Sequence, residues 1–184
     1  MPDVRFGTLV AKDTALYGAF KYYKRDFSQR GDTYRRALAA ILAFAYDEHG
    51  DDLARLLGGS PTIVAAVPST RPPNAVNPLR SVVSNVASLR PFIDTPLVFT
   101  GVERRRHSVQ PELFRAPQRL EQQRVLLIED LWVRGSTAAS AVEVIEAAGG
   151  RAVVLAIGRE VRREFLTSEE LLRVSGRPRW VPEP

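Results

Sequence analysis

The sequence predicts an α/β fold: a doubly wound, mainly parallel sheet with flanking helices. Three observations carry that prediction. The runs "TIVAAVP", "VLLIED" and "RAVVLAIG" are continuously apolar rather than alternating, as strands covered on both faces are. Segments of helical period lie between or before them, and turn residues bound every run. Strand, helix, strand, loop, strand, helix, strand in that order implies parallel pairing with right-handed crossovers. At 184 residues the chain is read as one domain spanning 1–184, with no internal repeat.

Residues 1–30 are mixed, with a short strand expected at "VRFGTLV" and a helix around "TALYGAFKYYKR". From Asp32 the pattern sharpens. Tyr34, Leu38, Ile41, Leu42 and Ala45 follow helical spacing, with Asp32 or Thr33 as N-cap. Gly50 is expected to interrupt this helix, "DDLARLL" to add another turn or two, and Gly58 and Gly59 to end it. "TIVAAVP" is the first buried strand and "STRPPNAVN" the loop after it. Asn77 and Pro78 suit N-cap and N1 of a helix whose stripe is Leu79, Val82, Val83, Val86 and Leu89.

A second strand is expected at "PLVFTGV", followed by a long polar and basic connection over residues 104–124 containing two prolines. Connections of this length inside compact domains tend to be functional or mobile. "VLLIED" is the third buried strand, "STAASAVEVIEAAGG" a helix stopped by glycine, and "RAVVLAIG" the fourth strand. The tail shows a short helix near "TSEELLRV", with Thr167 and Glu170 at capping-box spacing, and then an irregular end in which Trp180 reads as a packing anchor.

Composition narrows the chemistry. With no cysteine there is no disulfide, thiolate metal site or cysteine nucleophile, and a zinc ribbon is excluded. No window of membrane-spanning length is free of charge and no secretory leader is visible, so a cytoplasmic protein is expected. Net charge is +5, and all but three of the 26 basic residues are arginine, whose planar fork suits phosphate oxygens. The same bias also follows from genome composition alone. The basic run Arg104, Arg105, Arg106 and His107 reads as a solvated loop, and His49 among Asp47, Glu48, Asp51 and Asp52 as a solvated helix end.

The informative stretch is "VLLIEDLWVRGSTAAS", residues 125–140. Glu129 and Asp130 fall at the carboxyl end of a buried strand, where doubly wound sheets bind ligands. The turn from Leu131 to Thr137 then opens a helix whose first N–H groups have no intrahelical partner. Gly135 admits close approach of an anion, and Ser136 and Thr137 add hydroxyl donors. Two carboxylates repel a bare polyanion but accept hydrogen bonds from vicinal sugar hydroxyls or hold a divalent cation through water. A phosphorylated ribose with magnesium nearby meets both demands. The glycine-lysine pair of a Walker loop and the dinucleotide glycine fingerprint are absent.

On those residues, "VLLIEDLWVRGST" resembles the phosphoribosyl-pyrophosphate (PRPP) signature of the type I phosphoribosyltransferases. With "LYGAFKYYK" early, "VAAVPS" in the first strand and Gln110 in the long loop, the chain is similar to the ComF-type, competence-associated subfamily without its zinc ribbon. The resemblance covers about residues 15–160, and only the PRPP motif within it is specific. It implies the type I phosphoribosyltransferase fold, with a small hood built from about 1–30 and 160–184. It also implies transfer of ribose 5-phosphate from PRPP to an acceptor, perhaps a nucleobase, with Mg2+.

Carried over by position, the resemblance implies that Glu129 and Asp130 hold the ribose hydroxyls, directly or through magnesium. Val133, Arg134, Gly135, Ser136 and Thr137 would cradle the 5-phosphate. Ser69, Thr70 and Arg71 would meet the diphosphate, with Arg71 stabilising the leaving group, and residues 104–118 would close over the ligand. A homodimer and a nucleic-acid partner are compatible with the resemblance, the latter without a motif to indicate it. A non-catalytic PRPP sensor or nucleic-acid-handling factor is the alternative. Val133 stands where many relatives carry threonine, serine or an aspartate able to assist proton transfer, Arg134 where they carry threonine or serine, and Trp132 is larger than the usual aliphatic residue.

Overall fold

The computed structural model describes residues 2–12, 14–25, 28–70, 77–105 and 108–161. Arg71, Trp180 and the expected tail helix lie outside them.

The chain begins with β1 (Val4–Phe6) and β2 (Leu9–Ala11), followed by α1 (Ala15–Tyr22) and α2 (Gln29–Leu57). Then come β3 (Ile63–Ala66), α3 (Pro78–Ser84), β4 (Val98–Phe99), β5 (Phe114–Arg115), β6 (Arg124–Trp132), α4 (Ser136–Ala147) and β7 (Arg151–Val161). The main sheet runs β1-β7-β6-β3, with β2 also paired to β7, and every pairing in it is parallel. This is the expected α/β architecture, with helices on both faces.

The two faces have separate cores. Leu126 and Ile128 of β6 pack with Leu38, Leu42, Leu79 and Val82 from α2 and α3. Val125 and Leu127 pack with Ala138, Ala141 and Ile145 of α4. The strand's two-residue period makes this division, and its continuously apolar sequence is what two covered faces require. Burying one such aliphatic side chain is worth about 1.5–3 kcal/mol, so the chemistry at the end of β6 stands on a firm base.

Several elements differ from expectation. The helix expected from Asp32 starts earlier, because Ser28 is the N-cap and accepts from the Arg30 N–H at 3.3 Å. Gly50 does not interrupt it. A glycine inside a helix costs only about 1 kcal/mol relative to alanine, while Ala45, Leu53 and Leu57 keep the apolar face buried on both sides of it. Gly58 then ends α2 in the left-handed conformation. Asn77 and Pro78 cap α3 as expected, but the helix stops at Ser84, and Val86 and Leu89 are buried from the turns that follow.

The expected strand at "PLVFTGV" is not a member of the parallel sheet. Only Val98 and Phe99 are extended, and they pair antiparallel with β5. The β3 edge is met instead by the residues just before, where Asp94 N–H donates to the Val64 carbonyl at 3.0 Å and Ile93 bridges Val64. "VRFGTLV" divides into two strands along β7, so residues 4–11 extend the sheet.

Candidate functional site

β6 delivers its last residues to the mouth of a cavity of about 800 Å³ at the carboxyl ends of the strands. Glu129 and Asp130 both line it, together with Ser69 and Thr70 beyond β3 and the whole turn from Val133 to Thr137. The described part of the expected site is therefore assembled in one place. Arg71 falls outside the described residues.

Strand alternation sends the two carboxylates to opposite faces, Asp130 with Leu126 and Ile128, Glu129 with Val125 and Leu127. Their surroundings differ accordingly. Asp130 is buried, and its Oδ2 accepts from the Tyr23 hydroxyl at 2.9 Å and pairs with the Lys24 ammonium. Arg35, itself buried, donates to the Tyr23 carbonyl at 2.9 Å and pairs with Asp32, which ties the end of α1 to α2. Glu129 Oε1 accepts from the Asp130 N–H at 3.3 Å.

Burial works against a charge on Asp130, but the Lys24 ammonium, a hydrogen bond from Glu129 and another from Lys24 hold its carboxyl below the ordinary range. Glu129 goes the other way. Burial, and then the neighbouring Asp130 charge, push it well above the usual carboxylate range. The two carboxyls are therefore set apart, Asp130 favouring the ionised form beside Lys24 and Glu129 the protonated one.

The turn after β6 is fixed by two residues. Gly135 has φ 72°, and a Cβ on it would land inside the Trp132 indole. Only glycine meets both conditions. Trp132 in turn lies edge-on to Phe6, with ring centroids 5.8 Å apart, and its indole is the floor of the turn. As N-cap of α4, Gly135 offers no side-chain acceptor, so the first amides of a 12-residue helix face the cavity's end without a cap. Val133 is 56 % exposed.

Beyond β3, Asn77 pins the loop that carries Ser69 and Thr70, its amide donating to the Val67 carbonyl at 3.0 Å while its Oδ1 caps Leu79. The long connection is only partly what its composition predicted. Gln110, Leu113, Phe114 and Leu120 are buried, and the Gln110 N–H donates at 2.8 Å to Ser140 Oγ, which donates to the Ser136 carbonyl at 2.7 Å. Residues 108–118 are thus docked on α4, and Arg104 from the same connection reaches the cavity.

Tyr23, Lys24, Arg35 and Ser140 were not singled out from the sequence. The readable signal for Lys24 was compositional: two of the chain's three lysines, Lys21 and Lys24, sit on this cavity in a protein that otherwise uses arginine. Among the described residues the lining carries five cations, Lys21, Lys24, Arg25, Arg104 and Arg134, against two carboxylates. Such a field selects an anion of more than one charge.

The sequence matches no protein-family model and no curated protein. Among solved structures it is similar to an adenine phosphoribosyltransferase from Leishmania tarentolae. The identity is 14%, the alignment covers 89% of this chain and 95% of that one, and the TM-score is 0.43.

Magnesium held by Glu129 and Asp130 is the expectation those residues meet least well. Asp130 Oδ2 is already shared by Tyr23 and Lys24, and the described residues contain no cluster of three or more His, Cys, Asp or Glu able to hold a metal. Asp130 Oδ2 is therefore not open to a divalent ion bound directly by the protein. His49 is equally remote from metal chemistry, its Nε2 lying 3.3 Å from the Phe6 carbonyl. No helix among the described residues is long and apolar enough to cross a membrane.

Proposed function

We propose that this chain binds PRPP and transfers its ribose 5-phosphate to an acceptor, a nucleobase being the simplest class, with release of pyrophosphate. The observation that supports this most is the joint placement of an acid pair and an uncapped helix start on one cation-rich cavity. A sugar phosphate is the small ligand that uses both, hydroxyls on the acids and phosphate on the amides.

In this reading the amides of Ser136 and Thr137, with their hydroxyls and the backbone of Val133, Arg134 and Gly135, receive the 5-phosphate. Glu129 and Asp130 take the ribose hydroxyls. Ser69, Thr70 and Arg71 meet the diphosphate. The acceptor's lone pair forms the new bond to the anomeric carbon as the bond to the diphosphate oxygen breaks, and that electron pair leaves with pyrophosphate. Positive charge develops on the ribose ring, and Asp130, its carboxyl held below the ordinary range beside Lys24, is the group that would stabilise that charge. The cations around the cavity stabilise the departing diphosphate. Val133 is no general base, so the acceptor's proton leaves to solvent or to the acceptor's own groups.

That valine also favours a second reading. Val133 is an exposed apolar residue where the resembled family carries threonine, serine or an aspartate able to assist proton transfer, which suits a PRPP-binding regulator or nucleic-acid-handling factor that performs no transfer. Calorimetry with PRPP, followed by pyrophosphate release over a panel of bases, separates them. The transferase reading expects binding, release with at least one base, and loss of both on Arg71→Ala. Tight binding with no release for any base supports the regulator, and absence of binding ends both readings.

A further inference from the structure

We propose that Lys24 is the built-in cation of the acid pair, so that a sugar phosphate binds this cavity without a divalent ion held by Glu129 and Asp130. The ligand class rests on the function proposed above, whereas the exclusion of a metal ion is a property of the chain by itself.

Lys24 does not behave as a surface lysine. Its ammonium contacts a carboxylate whose side chain is only 9 % exposed, and it lies 5.6 Å from the Tyr23 ring centroid. The backbone that carries it is fixed on one side by the Tyr23 hydroxyl bonded to Asp130 and on the other by Arg35 bonded to the Tyr23 carbonyl. Tyr23 is 1 % exposed, so this anchor is part of the core.

Magnesium needs oxygen ligands at about 2.0–2.1 Å in a near-octahedral shell. To reach Asp130 Oδ2 it would have to displace both the tyrosine proton and the ammonium, and at the other oxygen of that carboxylate it would still face the Lys24 ammonium, held nearby by its own backbone. Two like charges at that separation repel strongly in a partly buried site. An ammonium replaces the ion's electrostatic work without those geometric demands. It is compact, and of its three donors one serves Asp130 while the others are able to reach the oxygens of a vicinal diol. Arginine, which this chain prefers elsewhere, would present a flat fork instead.

The experiment has two arms, both on the full chain. In the first, Mn2+ binding to the free protein is read by electron paramagnetic resonance. The wild type is expected to leave Mn2+ free, Lys24→Met to bind it, and Lys24→Arg to behave as wild type. In the second, ribose 5-phosphate affinity is measured by calorimetry in EDTA and in Mg2+. The wild type is expected to agree within twofold between buffers, and Lys24→Met to bind at least tenfold tighter with Mg2+ than without. Lys24 is partly exposed, and Lys24→Gln is a second variant should the methionine form melt early. Wild-type capture of Mn2+ that Asp130→Asn abolishes would overturn the inference, as would a folded Lys24→Met protein that still leaves Mn2+ free, or a tenfold loss of wild-type affinity in EDTA. If ribose 5-phosphate binds in neither buffer, the sugar-phosphate reading of the cavity fails, and the Mn2+ arm alone decides the role of Lys24.

Discussion

The face of the sheet that carries α1 and α2 and the face that carries α4 each supply half of the cavity, by different means. On the first, side chains act: Tyr23, Lys24 and Arg35 form a hydrogen-bonded chain that ends on Asp130. On the second, backbone acts: Gly135 turns the chain over Trp132 and leaves the start of α4 uncapped. Glu129 and Asp130 are adjacent in sequence yet belong to different faces, and their proton affinities are moved in opposite directions, Glu129 upward by burial and the Asp130 charge, Asp130 downward by Lys24 against its own burial. A side-chain arrangement tolerates graded substitution. A backbone arrangement that depends on one dihedral angle does not.

The largest expected effect therefore comes from a methyl group on the α4 side. Gly135→Ala pays for a left-handed alanine, about 1–2 kcal/mol, and for displacing Trp132, about 1–3 kcal/mol. Urea unfolding should show a loss of about 2–5 kcal/mol from these two terms, and calorimetry should show no ribose 5-phosphate binding. The α1 side should survive, with the Tyr23 ring signals in NMR spectra at their wild-type positions. A variant as stable as wild type that binds normally would show that the turn does not depend on this glycine.

Next in size is Ser140→Ala, which tests whether the long connection belongs to the α4 half. Ser140 is fully buried, and its hydroxyl joins the Gln110 N–H to the Ser136 carbonyl. Removing it leaves a buried backbone donor without that acceptor, at a cost of about 1–3 kcal/mol. Hydrogen exchange at residues 108–118 should quicken more than exchange in β7. Uniform quickening across the chain would mean that the serine supports general stability and nothing specific to the connection.

How much of this was legible follows from the range of the forces involved. The buried strands, α4 and the acid-glycine turn were readable because hydrophobic period and turn chemistry are local. So was the cap of α3, written in Asn77 and Pro78. Gly50 misled because its propensity is weaker than the burial of Leu53 and Leu57 that overrides it. "PLVFTGV" misled because an apolar run does not state its partner, and β5 took the place expected of the sheet edge. Lys24 and Asp130 are separated by 106 positions, and the Tyr23 hydroxyl reaches across 107, so no local pattern announces them. The burial of Gln110, Leu113 and Phe114 in the long connection was not legible because they span barely one turn between charged residues and prolines, too short a run for a period to show.

The smallest effect asks whether the two carboxylates really differ. Glu129 has a folded-state affinity for its proton raised above that of the unfolded chain, so the stability this confers is present at low pH and is lost as pH rises through the folded value. Asp130 is the reverse: held below its ordinary range, it contributes stability above the unfolded value, lost as pH falls through the folded one. Glu129→Gln mimics the protonated form at every pH and removes only the first of these. The variant should match wild type near pH 4 and exceed it by on the order of 1 kcal/mol at pH 8, which for a chain of this size is a melting difference of about 2–4 °C. The acid limb, set by Asp130, should persist in the variant with a modest displacement because Glu129 no longer exchanges a proton with it. A gap that instead opens as pH falls would assign the raised proton affinity to Asp130, and the two faces of the sheet would have to exchange their electrostatic roles.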